Sequence, residues 1–330
     1  MAYRLIGKNF TPPDIEAKVT GSAKYSEDFR ADGMAFIRLM LSPMPHAKVI
    51  SVDSSAAEKV PGFLGIMTPD EVKAPNGAGQ AILNAEPSHV GAPIVAIAAE
   101  TEQAAEDAVA LLEVELEPLE FCVDPLESLK PKGPSALSAG NVAGRGVDLQ
   151  TIHWSAKDFA LAGDDKLPMG EAPVSFGYGD VDKAFEDAKV IIEESFVHAT
   201  NAHHALEPRS AAAYWEGGKC HVWGSTQSTS FAQPGLAKMI GISPAELVFV
   251  AEFCGGGFGG KATSYPLMAL PALMSKKLGG RPCMLRVSRA EEYYNGYARA
   301  GFQAWAKLGF NNKGRMVAAD VYCVQDVGNT

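Results

Sequence analysis

The sequence predicts an α+β protein laid out in two consecutive parts joined by an irregular stretch. Three observations carry that prediction. Short apolar runs with strand character alternate with brief helical patterns up to about residue 124. Between residues 127 and 178 the periodicity dissolves into Pro, Gly, Ser and Ala. From Asp180 onward strands and helices return, with a run of glycines between one strand and one helix. The length of 330 residues fits two domains better than one, and 47% hydrophobic with 21% charged residues is enough to bury a sizeable core.

In the first part, residues 1–126, strands are expected at 35–41, 47–52, 63–67 and 93–98, the third after a Pro61-Gly62 turn. Thr101 can cap a helix that carries Glu102 in its first turn and Ala104, Ala105, Ala108, Leu111 and Leu112 on one face. Residues 112–116 alternate apolar positions with Glu113 and Glu115, the pattern of a half-buried strand. The connecting segment, 127–178, is expected to lie over another subunit, because Trp154, Phe159 and Phe176 would have nothing to pack on in a free linker.

In the second part, residues 179–330, Asp180 is a good helix cap and Val181, Ala184, Phe185 and Ala188 follow at helical spacing. Strands are expected at 190–197 and 221–223, a helix at 231–240, and a strand at 247–253 running into the glycines. A helix over 265–278 should stop at Gly279-Gly280 and kink at Pro271. Strands near 284–287, 301–309 and 317–324 complete the pattern.

The net charge of -10 argues against nucleic acid or an anionic membrane as partner, since both select basic surfaces. No apolar run is long enough to span a bilayer, and residues 1–8 lack the apolar core of a secretion signal. The five cysteines form no CxxC pair and read as reduced thiols. A soluble, cytoplasmic protein is the expectation.

The segment Cys254 to Lys261 is the chemical focus. Consecutive glycines tolerate positive φ and close backbone approach, so their N–H groups can converge on an oxyanion or oxo group. Gly255 to Lys261 satisfies part of a P-loop, but Ala262 stands where a Ser or Thr hydroxyl should bind Mg²⁺. Gly257, Gly259 and Ala262 also fit a dinucleotide fingerprint, yet Lys276 and Lys277 occupy the neighbourhood where its acidic residue should fall.

A third reading uses more of the chain. Ser225-Thr226-Gln227 follows the strand ending at Trp223, and Phe253 to Lys261 comes further along. Lys18 to Tyr25, His203-His204-Ala205-Leu206-Glu207-Pro208 and Gln325-Asp326-Val327-Gly328 add further matches. In this order the segments resemble the molybdenum-binding subunit of the xanthine dehydrogenase and aldehyde oxidase family, from about Glu16 to the end.

That resemblance implies an a/b hammerhead domain followed by the first part of the molybdopterin-binding region. It also implies a molybdenum–molybdopterin cofactor, in its simple or cytosine dinucleotide form, whose dithiolene sulfurs hold the metal so that the protein supplies no direct ligand. By position Gln227 resembles the glutamine that hydrogen-bonds an oxygen on molybdenum, while Gly256, Gly257, Phe258 and Gly259 resemble the loop that approaches the metal through main-chain N–H groups. The implied chemistry is hydroxylation of an aldehyde or N-heterocyclic carbon with water-derived oxygen, electrons passing to 2Fe-2S and FAD partner subunits.

Purine-oxidising members carry a glutamate directly after the loop lysine. Ala262 occupies that pocket position here, which disfavours a purine substrate. The family's general-base glutamate and remaining pterin contacts belong to a C-terminal half, so no catalytic residue is assigned within these residues. With the sequence ending at Thr330, the expectation is a split gene, with the second half as partner, or a truncated product that alone does not turn over.

Several residues also have plainer readings. His203, His204 and Glu207 tempt a metal assignment, but Pro208 and the lack of a third ligand favour structural hydrogen bonding. Cys254 reads as a small buried thiol, Lys261 has no assigned role, and Tyr293, Tyr294 and Tyr297 read as core or interface. Two rival functions remain: a non-catalytic scaffold within the same complex, and a P-loop-like nucleotide-binding protein.

Overall fold

A computed structural model describes residues 3–72, 81–135, 137–144, 147–162 and 167–326. Val327 and Gly328, from the last matching segment, lie outside them.

The main layer is a seven-stranded sheet in the order Leu247–Val250, Lys219–Gly224, Ala211–Glu216, Cys283–Leu285, Ala35–Leu41, Pro93–Ala99, Phe63–Met67. Cys283–Leu285 runs parallel to Ala35–Leu41 and antiparallel to Ala211–Glu216. One sheet therefore draws strands from both the first and the second part of the sequence. Pro93–Ala99 is buried along its whole length, which explains its unbroken apolar run. The helices Thr229–Ile240 and Pro266–Lys277 contribute Leu236, Ala237, Met268, Leu270 and Met274 to the principal apolar core. Gly241 takes the left-handed conformation (φ 80°) that closes the first of these helices.

The strand Ala211–Glu216 is missing from the sequence reading. Its three alanines show no alternation and have low strand propensity. Tertiary position forces it: Ala211, Ala212 and Ala213 are fully buried between two strands and against the helix above, where Trp215 Nε1 donates to Ala272 O at 2.8 Å. The helices Ile15–Thr20 and Arg289–Asn295 were likewise not anticipated.

A second sheet pairs Gly301–Phe310 antiparallel with both Val190–His198 and Met316–Asp326. The helix Val181–Asp187, capped by Asp180 as its sequence predicts, closes over it. A Cβ on Gly309 would meet Ala188 Cβ at 3.0 Å and Phe185 Cδ1 at 3.2 Å.

Residues 127–178 hold more regular structure than their composition suggests. A helix at Pro125–Leu129, strands at Val142–Gly144 and Val147–Gln150, and a helix at Ala156–Ala162 fall there or overlap its start. Asn141 organises the segment, donating to Ser128 O and Ile152 O (both 3.0 Å) and accepting from Ile152 N at 2.8 Å. Side chain–backbone bonds of this kind leave no periodic trace in a sequence. Trp154 and Phe159 need no other subunit to pack on. Trp154 is 5% exposed, packed with Leu129 and Val324, and its ring lies 5.8 Å from Phe159 and 6.1 Å from Tyr322. Phe176 stands exposed.

Gly170 leans on this aromatic cluster, and a Cβ there would fall 2.2 Å from Trp154 Cγ. We expect Gly170→Ala to destabilise the protein by about 1–3 kcal/mol through overpacking. The change should appear as a lower urea midpoint with a weakened near-ultraviolet tryptophan signal.

Candidate cofactor site

The parallel neighbours Lys219–Gly224 and Leu247–Val250 deliver Ser225-Thr226-Gln227 and the glycine loop to the same edge of the large sheet. The second strand stops at Val250, three residues earlier than its apolar run suggests. Beyond it the chain turns through Gly256 (φ 100°), Phe258 (φ 53°) and Gly259 (φ 104°). Phe258 is the only one of these three with a side chain, held in the left-handed region with the residue 60% exposed.

Side chains from outside the loop hold it in place. Gln227 Oε1 accepts from Gly259 N at 2.9 Å and Lys261 N at 3.3 Å, while Gln227 N donates to Lys261 O at 2.9 Å. Two backbone donors converge on one end of that amide, so this end is the oxygen and the other end is the NH₂ group. Gln227 is exposed, and its Nε2 has no acceptor among the described residues. Gly257 packs directly beneath: a Cβ would meet Gln227 Cγ and Oε1 at 2.5 Å.

Of the loop N–H groups, Gly255 donates to Glu207, Gly259 and Lys261 to Gln227, and Gly260 to Gly257 O. Those of Gly256, Gly257 and Phe258 have no acceptor among the described residues. Gly257 is buried, so an unpaired donor there carries a cost that a bound acceptor relieves. The N–H of Gly259, by contrast, is spent on Gln227. That glycine shapes the loop through its positive φ.

Two buried ion pairs brace the loop from behind. Lys261 Nζ, 1% exposed, donates to Ser225 Oγ at 2.7 Å and lies 3.4 Å from Glu207 Oε2. Burial depresses the Lys261 pKa, against the opposing pull of the Glu207 charge. Arg209 donates to Glu292 Oε1 and to Gly260 O, its guanidinium 5.6 Å from the rings of both Tyr265 and Tyr297. Tyr265 is buried, donates to Ser225 O at 3.2 Å, and has its pKa raised well above normal, chiefly by burial. Arg299 Nη2 donates to Phe258 O at 3.1 Å on the outer side.

The structure thus brings Gln227, Gly256, Gly257, Phe258 and Gly259 together, with Ala262 half-buried one residue past the loop lysine. His203 Nδ1 donates to Tyr297 O at 2.8 Å, and His204 Nδ1 hydrogen-bonds Tyr293 Oη at 3.0 Å, so both histidines have structural partners. Among the described residues no group of three or more His, Cys, Asp or Glu side chains could hold a metal. Glu207 makes structural hydrogen bonds, as the plainer reading of its segment expects, whereas Arg209 and Glu292 were missed as site-building residues. No local pattern marks this pair, because Arg209 and Glu292 meet across 83 residues of sequence.

The P-loop reading fails structurally as well. A P-loop lysine must reach phosphate, whereas Lys261 points inward to Glu207 and Ser225. Free main-chain donors at Gly256, Gly257 and Phe258, beside the free amide NH₂ of Gln227, make a face that can receive hydrogen-bond acceptors.

Residues 165–330 match the family described as the molybdopterin cofactor-binding domain, and residues 20–120 match the a/b hammerhead domain of aldehyde oxidase and xanthine dehydrogenase. The chain belongs to the xanthine dehydrogenase and aldehyde oxidase family. It is 30% identical over 325 residues to a probable xanthine dehydrogenase subunit of Bacillus subtilis, covering 96% of this chain and 39% of that protein. It is 28% identical over 296 residues to the nicotine 6-hydroxylase large subunit of Paenarthrobacter nicotinovorans, covering 83% and 32%. Its fold matches that of quinoline 2-oxidoreductase from Pseudomonas putida 86 with a TM-score of 0.78 at 23% identity, over 96% of this chain and 39% of the other. The chain therefore spans well under half the length of these relatives.

The donor set fits a molybdenum–pterin group. Three N–H groups and one amide NH₂ lack acceptors at one place among the described residues, and no Cβ fits at Gly257 without displacing Gln227. No described helix is long and apolar enough to cross a membrane.

Proposed function

We propose that this chain forms one wall of the cofactor site of a molybdenum hydroxylase, acting on an aldehyde or N-heterocyclic carbon. The bound molybdenum–pterin group supplies the two-electron oxidation, with oxygen taken from water and electrons leaving to 2Fe-2S and FAD centres on partner subunits. Gln227 holds an oxygen atom of that group through Nε2, an amide donor that cannot take up a proton in return. The N–H groups of Gly256, Gly257 and Phe258 form a preorganised field on the same side, and the exposed Phe258 ring excludes water. The general-base glutamate and remaining pterin contacts come from sequence beyond these 330 residues, on the same chain or a partner. The cofactor is the simple or cytosine dinucleotide form, and the assembly is cytoplasmic.

The carrying observation is the clamped Gln227 amide, whose oxygen is spent on two loop N–H groups and whose donor end is free. In the natively purified complex, Gln227→Glu preserves the acceptor end and removes the outward donor. We expect kcat to fall on the order of 100-fold, as when one oxyanion-type donor is lost, with co-purifying chains and melting temperature unchanged. Gln227→Ala, which also removes the acceptor for Gly259 N and Lys261 N, should lower activity while leaving assembly intact. Wild-type turnover in either variant contradicts the assignment, and absence of turnover in the wild-type complex points to a scaffold role.

A further inference from the structure

Behind the cofactor-facing side of the loop lies a carboxylate with no direct part in the proposed chemistry. Glu207 is 9% exposed and gathers bonds from three separate stretches of chain. Its Oε1 accepts from Ser26 Oγ at 3.1 Å. Its Oε2 accepts from Gly255 N and Ser225 Oγ, both at 2.6 Å, and lies 3.4 Å from Lys261 Nζ. One carboxylate thereby touches both ends of the glycine loop, the segment that carries Gln227, and the turn at Ser26–Asp28.

The contact is close in shape as well as polarity, since a Cβ on Gly255 would fall 2.5 Å from Glu207 Cβ. A buried carboxylate is tolerated because donors surround it and a cation faces it. Lys261 carries the constraint outward. Its side chain is fixed by Glu207 and Ser225, and its backbone N–H and C=O both bond to Gln227. A shift of Lys261 therefore turns the Gln227 amide.

We infer that Glu207 is the positioning residue of this site: it fixes the separation of the loop ends and, through Lys261, the direction of the Gln227 donor. The second half of this statement rests on the loop being a molybdenum–pterin wall. The first half stands on the loop geometry alone.

The test compares wild type and Glu207→Gln in the natively purified complex. Hydrogen exchange is read by mass spectrometry on peptides covering residues 254–262 and, as reference, 211–216. Pterin is released oxidatively and quantified by fluorescence per folded chain. We expect loop amides to exchange roughly tenfold faster or more, as follows from losing a charged hydrogen-bond acceptor, with the 211–216 strand unchanged. Pterin content should fall by a similar factor. Adding Lys261→Met, which removes the orphaned ammonium, should restore part of the loop protection.

Unchanged loop exchange overturns the inference, and so does acceleration of loop and strand by one common factor, the mark of a general structural role. Should Glu207→Gln fail to accumulate, Ser26→Ala removes only the Oε1 donor, and about three- to fivefold faster exchange confined to the loop is expected. No change there overturns the inference equally. Faster loop exchange in a complex whose wild type holds no pterin supports the positioning role and contradicts the cofactor reading. Wild-type pterin content and exchange in Glu207→Gln contradict the positioning role alone.

Discussion

Gly257→Ala is expected to strip the cofactor from the protein while leaving the fold in place. The added Cβ would stand 2.5 Å from Gln227 Cγ and 2.6 Å from Gln227 Cδ, so the side chain must leave its seat. Gln227 then loses the two N–H groups of Gly259 and Lys261 that set its amide direction. Overpacking of this kind costs about 1–3 kcal/mol, and taken from binding that is roughly a fivefold to 150-fold loss of affinity. Gly257 has no positive φ, so backbone strain does not contribute to the effect. Pterin and molybdenum per chain, measured beside the circular dichroism of the same preparation, check the result. Full cofactor content in the alanine variant would show that Gln227 is not seated where its contacts place it.

Arg209→Met should produce the largest loss of stability. Arg209 and Glu292 are 2% and 8% exposed, and Glu292 also accepts from Arg209 N at 2.8 Å. Removing the guanidinium leaves a carboxylate buried without its cation, a change worth about 3–5 kcal/mol. The Gly260 carbonyl loses its donor at the same time, loosening the end of the loop. Arg209→Lys should recover little, because an ammonium cannot serve Glu292 and Gly260 in one planar fork or lie flat between Tyr265 and Tyr297. Pairing Arg209→Met with Glu292→Leu removes both charges and should return part of the loss, a non-additivity read from urea unfolding of the four proteins.

These two variants touch residues of different legibility. Gly257 stands in a glycine run that announces itself, because few other needs place five glycines in the six positions from Gly255 to Gly260. Arg209 gives no local sign, since its partners Gly260 and Glu292 lie 51 and 83 residues further along. Gln227 falls between these cases. Its chemistry was assigned through family resemblance, and only the converging N–H groups of Gly259 and Lys261 fix which end of the amide faces outward.

The fold divides in the same way. Strands with apolar runs, such as Phe63–Met67 and Ala35–Leu41, fall where period and turn signals put them. Ala211–Glu216 was invisible because alanine reports the space left by neighbours and not a strand preference of its own. The parallel pairing of Ala35–Leu41 with Cys283–Leu285 joins residues about 248 positions apart, and no local pattern encodes it. The middle segment misled for a related reason: Asn141 and Trp154 order it through single side chains.

The role proposed for the face made by Gln227 and the loop from Gly256 to Phe258 is to receive a molybdenum–pterin group. Metal and pterin analysis of the natively purified protein, with whatever chains accompany it, tests this most directly. Molybdenum and pterin are expected in equal amounts, both strongly reduced in Gly257→Ala. Tightly bound ATP or GTP in a preparation without molybdenum would contradict that role.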